Sequence, residues 1–200
     1  MIVIIIIMNQ QICIYIKSNN IKKLSEKIFE RNPSNTNEIY LYYAVRNGYL
    51  LSTRYLLTVF DKTTIMNDQS LLQIASRNCR TAMVLMLIKE YNVDINYVDS
   101  LGENALHIAC GSMFTHIIRI LVSKQIKNIK NNQGYYPIDI LIKAKIEHPN
   151  KNMMLNFLKN KGYTSESVSV SEVVSEIVSE VVSEVVSVSI AESESETVLS

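Results

Sequence analysis

Apolar positions along this chain fall into short runs at helical spacing, and the runs recur. Leu106 and Ala109 mark the inner face of one short helix, and Ile117, Ile118, Ile120 and Leu121 mark a second. Apolar residues at i, i+3 and i+4 belong to an amphipathic helix; on a strand they would alternate. One unit earlier, Leu72 and Ala75 are followed by Met83, Val84, Met86 and Leu87. Earlier still, Tyr40-Leu-Tyr-Tyr-Ala44 is followed by Tyr55, Leu56 and Leu57, with Ser52 and Thr53 where later units carry aliphatics. Gly134-Tyr-Tyr-Pro-Ile-Asp-Ile-Leu141 repeats Gly102-Glu-Asn-Ala-Leu-His-Ile-Ala109 in register, and the stations Ala44, Ala75, Ala109 and Leu141 lie 31, 34 and 32 residues apart. A fixed period in this range predicts a stacked array in which each unit buries its apolar face only against its neighbours.

The stations carry short side chains for a physical reason: helix axes approach to roughly 8–10 Å only where little stands between them. Leu141 departs from that rule, which predicts that no further unit docks there, with Met153, Met154, Leu155, Phe157 and Leu158 as a closing helix and Gly162 as its stop. The pattern divides the chain into an apolar N-terminal segment and partial capping unit (1–36), four units (37–67, 68–98, 99–130 and 131–163) and a tail (164–200). Ile16, Ile21, Leu24, Ile28 and Phe29 give the leading unit one helical face, and Asn32-Pro33-Ser34-Asn35 predicts a turn after it.

These residues resemble the ankyrin repeat. Asp99-Ser-Leu-Gly102, Leu106-His107 and Ala109, preceded by Val93-Asp94-Ile95-Asn96, follow the family motif; Asn128, Gly134 and Pro137 match again, and Ala44-Val-Arg-Asn-Gly48 matches the junction of the two helices. The resemblance covers about residues 37–163 and implies an all-α solenoid of helix-turn-helix units with short β-turn fingers. Asn104 stands for the family's Thr, and both cap a helix by accepting a backbone N–H. Ala105 and Leu71 stand for Pro at the first helical position. Asp139 and Gln73 stand for His, so the His-centred bonds between repeats are expected at His107 alone.

Composition adds little to this and charge adds more. Five Gly and three Pro leave few turns for a β-rich fold. Cys13, Cys79 and Cys110 form no CxxC pair, so the expectation is three buried thiols without disulfide or metal. All 20 Lys and Arg lie at or before Lys161, whereas eight Glu and no base fall in 164–200, so the net charge of +1 hides a basic body and an acidic tail. Ser171-Glu-Val-Val recurs as Ser175-Glu-Ile-Val, Ser179-Glu-Val-Val and Ser183-Glu-Val-Val. That period of four holds no stripe on a helix and no face on a strand, and predicts disorder or a marginal helix. Ser169 and Ser193, each with Glu three residues on, are candidate kinase sites. Transient folding of the acidic tail onto the basic body is a further expectation.

Met1-Ile-Val-Ile-Ile-Ile-Ile-Met8 is too short to span a bilayer, which takes about 20 residues. It lacks the early basic residues of a signal peptide. A buried helix or strand covering the first repeat is expected, or initiation at Met8. The alternative reading is a membrane-associated adaptor anchored by the segment from Met1 to Ile16.

No catalytic group assembles from the sequence. His107 has no partner at metal or triad spacing, and Gly102 and Gly134 belong to no phosphate loop. No cofactor and no metal are expected, and the chain is not expected to be an enzyme. Arg46, Arg77 and Lys143 share one station near the end of successive first helices, with Gly111 between them, and Asn47 and Asn78 follow the two arginines. The resemblance implies that this station faces a concave groove. The expected function is a protein-binding scaffold using Arg46, Asn47, Arg77, Asn78, Leu101, Glu103, Tyr135 and Lys143. Its expected partner is another protein with an acidic surface; neither nucleic acid nor membrane is expected, and the chain should be monomeric. The expected compartment is the cytoplasm of the source cell, or of a host cell if the chain is an effector.

Overall fold

The computed structural model describes residues 2–29, 38–63, 65–144 and 148–165. The chain divides into two units, 1–163 and 164–200. The disorder or marginal helix and the kinase sites expected of the tail lie outside the described residues, as does the turn expected at 32–35.

The first unit is a stack of helix pairs: α1 (Ile2–Lys17) with α2 (Ile21–Phe29), α3 (Glu38–Asn47) with α4 (Leu50–Val59), α5 (Leu71–Arg77) with α6 (Thr81–Glu90), α7 (Ala105–Gly111) with α8 (Thr115–Ser123), and α9 (Pro137–Lys143) with α10 (Lys151–Asn160). The first helices of successive pairs pack on one another from α1 to α9, and the second helices from α2 to α8 form the layer behind them. Ala44, Ala75 and Ala109 are fully buried between first helices, as are Leu56, Leu87 and Leu121 in the second. β1 (Ile65–Met66) and β2 (Gln69–Ser70) form an antiparallel hairpin with Ile65 opposite Ser70. Its tip, Asn67-Asp68, has φ of 50° and 63°, as a two-residue hairpin of the strands' own twist requires.

Local chemistry starts the helices. Ser70 accepts the Gln73 N–H at 3.3 Å while the Gln73 side chain accepts the Ser70 N–H at 2.9 Å, closing a capping box on α5. Asn104 caps α7 by accepting the N–H groups of Leu106 and His107. Asp139 accepts the Tyr136 N–H at 2.9 Å at the start of α9, whose first residue is Pro137.

The same turn joins each of the first four pairs. The N–H groups of Asn20, Tyr49, Arg80 and Phe114 bond to the carbonyls of Tyr15, Ala44, Ala75 and Ala109, five residues back. Such a 6→1 bond needs a left-handed residue before the donor. Asn19, Gly48, Cys79 and Met113 hold those places with φ of 51°, 81°, 55° and 55°. Here the expectation of three buried thiols fails. Cys110 is buried, but Cys13 is half-buried and Cys79 is exposed because it occupies a turn.

α1 runs through the apolar N-terminal segment, and the burial expected of Met1 to Met8 lies outside the described side chains. Ile12 and Ile16 are fully buried, and α1 packs on α2 and α3. No helix among the described residues is long and apolar enough to cross a membrane. Ser52 also has its reason: the hydroxyl donates to the Ile16 carbonyl at 2.9 Å, at the open end of α1, where an aliphatic would leave an unpaired group. Leu141 is fully buried. Met154 and Leu158 give α10 its buried face, while Met153 is 47% exposed. The helix stops at Gly162, φ 81°.

The left-handed stations make opposite predictions at two positions. A non-glycine residue there costs about 1 kcal/mol, part of which glycine's extra freedom in the unfolded chain takes back. Cys79→Gly, with its side chain already exposed, should stabilise by up to about 1 kcal/mol. Met113 is 5% exposed, so Met113→Gly should destabilise by about 2–4 kcal/mol as its cavity outweighs the relief. Urea midpoints of the two variants measure both signs.

Candidate interaction surface

The fingers between pairs are held as rigid loops. Asp99 accepts the N–H groups of Leu101 (3.1 Å) and Glu103 (2.9 Å), and Asn131 does the same for Gln133 and Tyr135, both at 3.0 Å. Gly102 and Gly134 turn the tips at φ of 73° and 80°. Adjacent fingers are stitched together: Ser100 N–H donates to Asp68 at 2.6 Å, Asn132 N–H to the Leu101 carbonyl at 2.9 Å, and the Asn132 amide to the Ser100 carbonyl at 2.7 Å.

Each finger is also tied to the helix beneath the one before. His107 Nε2–H donates to the Tyr135 carbonyl at 3.1 Å, while Nδ1 accepts the Asn104 N–H at 3.2 Å. Gln73 makes the equivalent tie, its amide donating to the Glu103 carbonyl at 2.7 Å. The His-centred bond between repeats falls at His107, as expected, and Gln73 adds a tie of the same kind that the sequence pattern did not predict. A glutamine amide offers the acceptor for its own cap and the donor for the next finger, the two roles of the neutral imidazole. Asp139 makes the same cap at the start of α9.

His107 is 1% exposed, and burial, the largest effect, holds its pKa below the ordinary histidine value. The Tyr135 carbonyl and the charges of Glu103 and Asp99 pull the other way and lose. The ring is therefore a neutral strut.

The turn that joins the pairs fixes a common station two residues after Tyr15, Ala44, Ala75 and Ala109, and the same station falls at the end of α9. It holds Lys17, Arg46, Arg77, Gly111 and Lys143, and the four cations are exposed. Lys17 is an addition, hidden in the sequence because Tyr15 breaks the alanine series. The glycine has a steric cause: a Cβ at Gly111 would stand 3.3 Å from Ile140 Cγ2.

None of the four cations is ion-paired among the described residues. The Arg46 guanidinium lies 5.9 Å from the centre of the Tyr42 ring, and Lys143 Nζ lies 3.4 Å from that of Tyr135. With the Gln69 amide turned to satisfy both groups, its oxygen accepts Arg77 Nε and Nη2 at 2.8 and 2.7 Å. Arg54, on the second layer, finds Glu90 instead, at 2.6 Å.

The other expected contact residues divide. Leu101 is 60% exposed at its finger tip, over a backbone bonded on both sides. Asn47 and Asn78 each return one amide hydrogen to a carbonyl of their own helix, Tyr43 and Ile74, at 2.8 Å. Glu103 works within the fingers, its carboxylate accepting from Asn131 at 3.4 Å. Tyr135 joins the two sets, its carbonyl on His107 and its ring beneath Lys143. No group of three or more His, Cys, Asp or Glu among the described residues is placed to hold a metal.

Residues 71–165 match the family model for ankyrin repeats, in three copies. No match was found among curated proteins.

A neutral buried histidine makes stability depend on pH with a definite sign. The unfolded chain takes up a proton near pH 6.5 and the folded chain only below that, so stability is full above about pH 6.5 and falls as pH drops, by at most about 1.4 kcal/mol per unit. His107→Gln should flatten this dependence between about pH 7 and 5, as read from urea unfolding, at a cost under about 1 kcal/mol at neutral pH, because Gln73 shows that an amide serves as the tie.

Proposed function

The chain is an ankyrin-repeat protein, with three repeats within residues 71–165, and from that premise we propose that it is a non-catalytic scaffold that binds an acidic surface of a partner protein. Ankyrin repeats in general mediate protein–protein interaction. The observation that carries the reading is the row of exposed cations at one station of successive first helices, each without a carboxylate among the described residues. Lys17, Arg46, Arg77 and Lys143 line a groove whose neighbouring layers are separated by roughly 8–10 Å. A run of like charges steers an oppositely charged partner and fixes its register more than it adds affinity. Leu101 and Tyr135 supply the apolar contact on the fingers, with Asn47, Asn78 and Glu103 as polar neighbours.

A simpler role competes for the same residues. Cations in the last turn of a helix offset its dipole, at about 0.3–1 kcal/mol each. That role is local and needs no partner, so charge reversal separates the two.

Arg46→Glu, Arg77→Glu and Lys143→Glu combined should leave the circular dichroism of the folded chain unchanged and cut the association rate with proteins captured by the native chain by roughly 10–100-fold at low salt. The difference should shrink as salt rises. Capture and rates equal to those of the native chain would show that another surface is used.

A further inference from the structure

One layer of the stack is incomplete on its loop side. The segment from α4 to the cap of α5, residues 60–69, is three residues shorter than its successor, 91–103. The longer segment brings Val93 and Ile95 half-buried against the core, and the next one buries Ile126 to 2%. In the short segment Phe60 and Met66 are half-buried against the core at its two ends, while Asp61, Lys62, Thr63 and Ile65 between them are all exposed.

The missing residues also leave backbone groups open. Where 91–103 meets the following loop, the Lys127 N–H donates to the Asn96 side chain at 2.8 Å and the Lys127 carbonyl accepts from Asn104 at 3.0 Å. Asp94 holds the same place one layer earlier: it follows Val93, whose N–H reaches the Leu87 carbonyl as that of Ile126 reaches Leu121. Ser70 stands at the station of Asn104, and its hydroxyl is occupied by the Gln73 N–H. The N–H and carbonyl of Asp94 have no partner among the described residues. Between the two loops lies a cavity of about 440 Å³ walled by Ile65, Leu71, Leu72, Val93 and Tyr97.

We infer that this cavity docks an extended, uncharged segment of a partner protein, which seats one branched aliphatic side chain against Ile65, Val93 and Tyr97 and pairs its backbone with Asp94. The volume suits a side chain with the backbone that bears it, within the range of natural binding clefts of about 300–1,000 Å³. Asp94 is exposed, so an occupant that covers its amide and carbonyl must replace the water they face, which favours a peptide over a wholly apolar ligand. The rim holds one cation and one anion, Lys62 and Asp94, with Lys62 Nζ held by the Tyr91 carbonyl at 2.9 Å. That balance favours a neutral occupant, unlike the acidic partner of the cation row, and no residue of that row lines the cavity. The two readings therefore stand or fall separately.

The test is titration of the ¹⁵N-labelled full chain with the blocked peptide acetyl-Thr-Val-Ile-Val-Thr-amide, followed by amide shifts. Saturable millimolar shifts confined to 62–72 and 92–97, absent with Asp in place of the central Ile, are expected. Thr63→Trp and Ile65→Glu, both at exposed rim positions, should each weaken the response by roughly tenfold or more, as loss of an anchor contact does. No shifts, shifts at the ends of the first helices, an equal response to the Asp peptide, or folded variants that bind as the native chain does would overturn the assignment.

Discussion

Everything in the stack depends on how closely successive first helices approach. Ala44, Ala75 and Ala109 set that distance by putting almost nothing between the axes, and Gly111 presses it further against Ile140. At this separation the side chain of one helix start reaches the backbone of the next finger, which is why Gln73 meets the Glu103 carbonyl at 2.7 Å and His107 the Tyr135 carbonyl at 3.1 Å. A larger station residue would cost more than its own misfit. It would break the finger ties, and with them the hydrogen bonds that satisfy backbone groups the fingers bury.

The close approach rests in turn on the left-handed turn within each pair, and the sequence shows that turn unevenly. Glycine declares it at Gly48, but Asn19, Cys79 and Met113 adopt the same conformation at a cost that neighbouring packing must offset. Period, alanine stations and tip glycines are legible because each answers a steric demand that few residue types meet. Gln73 was illegible as a strut because the sequence offers a histidine for comparison, whereas the demand is for one acceptor and one donor at the right reach. Lys17 was illegible because a tyrosine replaces the alanine by which the series is read. The short loop beside Asp94 stood in the sequence as a spacing of 31 against 34, but spacing alone does not say which side of the stack is shortened.

The first repeat shows how a solenoid tolerates such departures. Ser52 gives up an aliphatic contact and gains a bond to the Ile16 carbonyl, whereas Thr53, its hydroxyl oxygen buried without a partner among the described residues, gains nothing comparable. An unsatisfied group of that kind costs about 1–3 kcal/mol. Because each layer touches only its neighbours, the deficit stays local and does not propagate along the array. Weakness and a spare cavity therefore coincide in the same part of the stack.

That locality also explains why interaction chemistry can be read here by subtraction. Asp99, Asn131, Asn104, His107 and Gln73 are committed to backbone bonds, so substitution there changes the fold before it changes a partner. Asn47 and Asn78 are half committed, through one amide hydrogen each. What remains uncommitted among the described residues is a set of cations beside Tyr42, Tyr135 and Gln69, together with apolar side chains on rigid fingers. A cation above an aromatic ring keeps its charge and loses rotational freedom before any partner arrives, which lowers the ordering cost of binding. Arg46 and Lys143 are thus held in place by the same rings that stand beside them where, among the described residues, no carboxylate does.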